Sequence, residues 1–169
     1  MECRVVTIRD GAEPDLVPIT EIYNHYVETT PVTFDTVPFT AEGRRTWLRQ
    51  FSHDGPHRLF VAEVDGLVVG YATSGRLEEK PACSTSIKTN VYLAPAFCGR
   101  GLGRRLYDQL FEALREEDLH RAFAEVTLPN EPSMNLHSSL GFEKTGVLKE
   151  AGRKFGRYWD VILLSRQMP

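Results

Sequence analysis

The stretch that decides the fold is "YLAPAFCGRGLGRRLYDQLFEAL", residues 92–114. An apolar run stops at Pro95, and Gly99, Gly101 and Gly103 follow at every second position. Leu102, Leu106, Leu110 and Leu114 then recur at helical spacing, with Tyr107 and Phe111 beside them. The pattern predicts a strand, a glycine turn and an amphipathic helix. Such a junction aims several backbone N–H groups at one point, and the helix start adds roughly half a positive charge there. Glycine lets a ligand approach the backbone with no Cβ in the way. The turn is therefore a candidate diphosphate site, built from the backbone of Gly99, Arg100, Gly101, Leu102, Gly103, Arg104 and Arg105. The arginine side chains add charge at its rim. Spacing argues against two common occupants. A P-loop needs Lys-Ser or Lys-Thr after its last glycine, and the dinucleotide fingerprint is G-x-G-x-x-G in an opening βα unit. A tight turn that binds nothing is the remaining alternative.

Outward from this junction the chain alternates legibly. "RLFVAEVDGLVVGYATSG" (58–75) is a hairpin about Asp65-Gly66, a dipeptide suited to a type I′ turn. "TSIKTNVYLAP" (85–95) is a further strand, and "RAFAEVTL" (121–128) follows the helix. That strand–helix–strand passage demands a parallel crossover, whereas three consecutive strands, the hairpin pair and 85–95, form an antiparallel meander. Upstream, "CRVVTIR" is a strand. A helix with Leu16, Ile19, Tyr23, Tyr26 and Val27 on one face follows, with Asp15 as its N-cap. Thr40 caps a short helix holding Trp47 and Phe51. Downstream, "EPSMNLHSSLGF" is a short helix ended at Gly141, and two strands close the chain. The expected fold is α/β: a mixed, mostly antiparallel sheet with one parallel pair and helices on both faces.

With 169 residues and no internal repeat or linker, a single domain over 1–169 is expected. A net charge of -3 and a pI near 6.0 argue against nucleic acid as a partner. No stretch has the length of a membrane span, and the N-terminus lacks the apolar core of a secretory signal, which favours the cytoplasm. Cys3, Cys83 and Cys98 are too few and too scattered for a zinc site or a disulfide framework.

The quoted stretch resembles motif A of the GNAT superfamily of N-acetyltransferases, whose turn binds the pyrophosphate of coenzyme A. Gly101 and Gly103 match; Cys98 stands where the family usually has Gln or Arg. "LPNEPSMNLHSSLGF" (128–142) is similar to the family's acceptor-side helix. There the resemblance implies that Asn130 and Ser133 lie along the pantetheine arm. His137 takes the position of the usual tyrosine that protonates the leaving thiolate, as is typical of the phosphinothricin and methionine-sulfoximine acetyltransferases. "IYNHYVETTPVTFDT", "FVAEVDGLVVGYA" and "GRYWDVILL" extend that resemblance over nearly the whole chain. It implies acetyl-CoA as co-substrate between two splayed parallel strands, an oxyanion donor among Val91, Tyr92 and Leu93, a small amine acceptor, and a homodimer.

Two departures from the subgroup stand out. Its usual catalytic glutamate is replaced by Lys88, so the base must be found elsewhere, and Glu125 on the neighbouring strand is a candidate. Alternatively, Lys88 binds an acidic group of a different acceptor. The basic segment ahead of this strand reads "SGRLEEKPACSTS", keeping Arg76 and Lys80 but adding Glu78 and Glu79. Tyr26, Phe34 and Trp159 are candidate walls of the acceptor pocket. The expected activity is acetyl transfer to the primary amine of a small, amino-acid-like acceptor. The alternatives are a non-catalytic coenzyme A-binding module and a protein or peptide N-acetyltransferase.

Overall fold

A computed structural model describes residues 5–169. Cys3 and the first residues of the expected opening strand lie outside the described residues. The strands are β1 (Val6–Asp10), β2 (Leu59–Val64), β3 (Leu67–Arg76), β4 (Ser86–Leu93), β5 (Arg121–Thr127), β6 (Glu143–Lys154) and β7 (Arg157–Gln167). The helices are α1 (Leu16–Thr29), the one-turn α2 (Arg45–Leu48), α3 (Leu102–Ala113) and α4 (Glu131–Ser139). The strands form one seven-stranded sheet in the order β1-β2-β3-β4-β5-β7-β6. β2, β3 and β4 make the expected antiparallel meander, and β4 and β5, joined through α3, pair in parallel.

Alternation along β2 explains the two-sided core. Leu59 and Val61 face Leu16, Ile19 and Ile22 of α1, Leu48 of α2 and Tyr71. Phe60, Ala62 and Val64 face the opposite side, where Leu102, Leu106, Leu110 and Leu114 pack. These last four leucines are all buried. The Asp65-Gly66 turn has positive φ at both residues, the geometry of a type I′ hairpin.

Two caps differ in outcome. Thr40 Oγ1 accepts the Gly43 N–H at 3.0 Å, as a cap should. Asp15 does not cap α1. Its carboxylate is buried, accepts the Ala12 N–H at 2.8 Å and takes a bidentate pair from Arg9 with both contacts at 2.8 Å. A 3-10 turn over Glu13–Asp15 precedes the helix and points that side chain back toward β1.

The parallel ladder is short. Ser86, Ile87 and Lys88 pair with Arg121, Ala122 and Phe123, and pairing stops there. β5 continues on β7 as far as Thr127, and β4 continues on β3 as far as Leu93. From Thr89 onward the two strands diverge, leaving a gap in the middle of the sheet beside the start of α3. A last link, Thr89 Oγ1 to the Phe123 carbonyl at 3.2 Å, marks the point of divergence.

Candidate functional site

The glycine turn and the gap are one region. Gly99 and Gly101 have φ of +72° and +76°, a conformation that a side chain would strain. Gly103 serves differently: a Cβ there would come within 3.1 Å of Leu136 on α4, so this glycine lets α3 and α4 approach. The Arg105 N–H bonds the Gly101 carbonyl at 3.1 Å and starts the helical ladder. The preceding donors of Leu102, Gly103 and Arg104 are those that an α-helix leaves without an internal partner, and Gly101 has no side chain to cap them. The arginines diverge from a uniform cationic rim. Arg104 pairs with Asp108 at 2.8 Å, Arg105 donates to the Val6 carbonyl at 3.1 Å, and Arg100 lies over the Phe97 ring.

The β4 edge facing the gap follows from alternation. The Ala94 N–H bonds the Val69 carbonyl at 2.7 Å, toward β3. Neighbouring residues turn their backbone groups the other way, so Val91 and Leu93 present theirs to the gap and Tyr92 does not. The Tyr26 hydroxyl donates to the Leu93 carbonyl at 2.6 Å, consistent with that orientation. Tyr92 instead contributes its ring to the acceptor side.

Three cavities meet at Asn90 and Tyr92. The first, about 50 Å³, lies in the gap and is lined by Thr89, Tyr107, Glu125, Asn130, Ser133 and His137 among others. The second, about 410 Å³, includes Phe34, Lys88, Glu125, Leu148 and Val161. The third, about 220 Å³, is an aromatic chamber walled by Tyr23, Phe39, Trp47 and Tyr71, with Asp35 and Arg44.

α4 places the gap's polar groups. Asn130 caps the helix by accepting the Ser133 N–H at 3.2 Å. One turn on, His137 is buried, with Nδ1 2.8 Å from the Ser133 carbonyl and Nε2 3.1 Å from the Tyr107 hydroxyl. A carbonyl oxygen only accepts, so Nδ1 carries the proton and Nε2 presents its lone pair to Tyr107. Burial holds this imidazole below its ordinary pKa, with the Ser133 carbonyl partly offsetting that. The expectation that His137 delivers a proton therefore meets a physical obstacle: at neutral pH its one N–H is held by the backbone. Tyr107 is itself buried, its pKa raised by that burial.

Lys88 and Glu125 face each other across the end of the parallel ladder, Nζ to Oε2 at 2.6 Å. The two candidates for proton acceptance thus engage one another. Tyr23 donates to Asp35 at 2.5 Å, and burial raises its pKa to about 12.

Several expected acceptor residues lie elsewhere. Arg76 and Lys80 are exposed, and Arg76 pairs with Glu79 at 3.3 Å. Trp159 lines none of the three cavities. Its indole N–H donates to the Lys154 carbonyl at 2.9 Å, and Arg157 stacks on its face at 3.8 Å. Asp160 accepts from Lys149 at 2.6 Å and from the Glu150 N–H at 2.8 Å. Phe34 does line the larger cavity, whereas Tyr26 closes the Leu93 end of the gap. Arg44, Asn90 and Tyr107 are site-lining residues that the sequence reading missed. Asn90 was within reach, because it shares the alternating face of Lys88 and Tyr92.

Comparison with known proteins agrees with this geometry. Residues 8–163 match the family model described as "Acetyltransferase (GNAT) domain". The chain is 53% identical to a phosphinothricin N-acetyltransferase of Streptomyces coelicolor, over 96% of each protein. It is 33% identical to an L-methionine sulfoximine/L-methionine sulfone acetyltransferase of Salmonella typhimurium, covering 96% of this chain and 95% of the relative. A solved acetyltransferase from Salmonella typhimurium, with its cofactor acetyl-CoA, superposes with a TM-score of 0.92 at 33% identity, covering 98% of this chain and 95% of that one. The chain belongs to the GNAT family of N-acetyltransferases, with acetyl-CoA as its acyl donor.

Proposed function

We propose that this chain acetylates the primary amine of a small amino-acid-like acceptor, of the kind exemplified by phosphinothricin and methionine sulfone, by direct transfer from acetyl-CoA. The observation that carries this reading is the early end of the β4–β5 ladder beside an uncapped helix start. The diphosphate sits on the N–H groups of Leu102, Gly103 and Arg104. The pantetheine arm runs through the gap as a missing strand would, along Val91 and Leu93 and past Asn130 and Ser133. A gap-facing N–H of Val91 or Leu93 polarises the thioester carbonyl and stabilises the tetrahedral oxyanion. Juxtaposition of amine and thioester supplies much of the rate.

Proton handling follows from the hydrogen-bond directions. The amine nitrogen forms the new bond to the acetyl carbon, the C–S bond breaks, and the thiolate takes up a proton released from that nitrogen. His137 keeps Tyr107 oriented in the gap as an acceptor-side partner. Glu125, bridged to Lys88, is the carboxylate on the gap's other wall and the group we assign to accepting the amine's first proton.

The test is calorimetry with acetyl-CoA, followed by thiol release with phosphinothricin, methionine sulfoximine, methionine sulfone and a peptide set. Binding with amino-acid-dependent thiol release is the expected result. Binding without any turnover would make the chain a non-catalytic coenzyme A module, and preference for peptides would make it a protein acetyltransferase. We further propose a homodimer in the cytoplasm. Light scattering in solution, with a mass twice the chain's 19.1 kDa, tests the first part.

A further inference from the structure

Arg44 is unused by the reading above. It is 6% exposed, sits just before α2 and lines the 220 Å³ chamber. A guanidinium removed from water requires compensating partners. The other buried cations each have one short polar contact: Arg58 reaches Asp10 at 3.0 Å, although its Nε is left without a partner, and Lys154 donates to the Thr33 carbonyl at 2.8 Å. Arg44 has a long contact to the Ile19 carbonyl, at 3.4 Å, and two aromatic faces, Trp47 at 3.9 Å and Tyr23 at 4.7 Å. Among the described residues no carboxylate comes within the 4.0 Å of an ion pair with it. Asp35 lines the same chamber, but its carboxylate takes the Tyr23 hydroxyl. Burial raises the pKa of the neighbouring Tyr71 phenol, and the charge and a hydrogen bond of Arg44 beside it pull the other way, so Arg44 has a neutral phenol but no carboxylate as partner.

We propose that Arg44 anchors the acceptor's α-carboxylate, so that the aromatic chamber is the recognition site for the amino-acid backbone of the substrate. The rings fix the plane of the guanidinium, which suits a planar, bidentate carboxylate. Asp35 at the same wall, its carboxylate already held by the Tyr23 hydroxyl, disfavours a second negative charge on the acceptor. Asn90, shared with the gap, is where the α-amine meets the thioester, and the side chain of the acceptor extends into the larger cavity toward Lys88. This assignment moves acid recognition from the exposed Arg76 and Lys80 to a residue on a different segment. It rests on the placement of acetyl-CoA in the gap.

The experiment compares matched acceptors that differ only in the carboxylate: L-methionine sulfone against 3-(methylsulfonyl)propan-1-amine, and other amino acids against their decarboxylated amines. Wild type should prefer the carboxylated member of each pair. Arg44→Met should lower kcat/KM for methionine sulfone about 100-fold, mostly through KM, because a buried charged hydrogen-bond partner is lost. The matching loss for the amine should stay within about threefold, as one uninvolved contact allows. Arg44→Lys, which keeps the charge but loses the fork, should fall between, and it carries the test if the methionine variant does not fold. Acetyl-CoA affinity, measured by calorimetry, should be unchanged in both. Equal losses for both members of a pair, or a wild type that prefers the amines, would overturn the proposal. So would acetyl-CoA binding with no amino acid acetylated, which would leave the donor site standing. Failure of acetyl-CoA to bind would instead remove the placement on which the anchor rests.

Discussion

The two sides of the gap are built from different materials. The donor side is backbone: a helix start without a cap, two left-handed glycines and a strand edge released from its ladder. The acceptor side is side chains, drawn from α1, the loop after it, the turn before α2, and the strands β3 and β4. A backbone site needs only that local geometry be kept, so it shows in a short contiguous motif. A side-chain site depends on which distant segments the fold brings together. It can change its chemistry one residue at a time.

That contrast predicts separable lesions. The largest is the Arg44→Met loss on carboxylated acceptors given above. Next in size, Gly152→Ala should strike the acceptor side alone, because a Cβ there would lie 2.3 Å from the Phe34 ring. The overpacking costs about 1–3 kcal/mol of stability, and the shift it forces on Phe34 should deform the wall of the larger cavity and raise the acceptor KM about tenfold. Steady-state kinetics should find the KM for acetyl-CoA unmoved. Gly101→Ala should do the converse. A side chain at φ +76° costs about 1–2 kcal/mol, so calorimetry should report acetyl-CoA binding weakened about tenfold at most, with acceptor selectivity retained. A variant on one side that altered the other side's affinity as strongly would break the comparison.

A smaller effect concerns pH. Burial holds His137 below its ordinary value of 6.5, and His57 is lowered by burial and by Arg76. The unfolded chain therefore takes up protons first as pH falls. Thermal stability should be full above about pH 6.5 and decline from there toward the folded-state values. His137→Gln should flatten that decline without abolishing it, since His57 acts in the same sense. Melting curves between pH 5 and 8 check this, and an unchanged slope would mean that His137 is accessible in the folded state. Smallest of all, Lys88→Met should change stability by less than about 1 kcal/mol in denaturant titration, as expected of a partly exposed ion pair. Its side chain and that of Glu125 are 34% and 45% exposed.

How much was legible follows the same division. The strand–turn–helix junction, the Asp65-Gly66 hairpin and the meander were readable because each is fixed by neighbours in sequence. The buried Leu102, Leu106, Leu110 and Leu114 belong with them. The double role of glycine was readable only in part: Gly99 and Gly101 hold turn geometry, whereas Gly103 answers to Leu136, 33 positions away, and spacing does not carry that information. Asp15 sat where an N-cap belongs, yet Arg9 on β1 competed successfully for its carboxylate. The basic residues nearest the active strand, Arg76 and Lys80, drew attention by proximity and turned out to face solvent. Arg44 stood unremarked in "AEGRRTWLRQF", because nothing local distinguishes it from Arg45, which is only half-buried. Burial separates the two, and burial is a property of the assembled sheet. His137 was located by its motif, but its tautomer depends on the Ser133 carbonyl and on Tyr107, thirty residues away on another helix.

The most direct test of the account is a crystal structure of the chain with acetyl-CoA. The diphosphate oxygens should lie within hydrogen-bond distance of the N–H groups of Leu102, Gly103 and Arg104, with the thioester carbonyl opposite Val91 or Leu93 and its carbon facing Asn90. A cofactor bound away from the β4–β5 gap, with that helix start left to solvent, would contradict it.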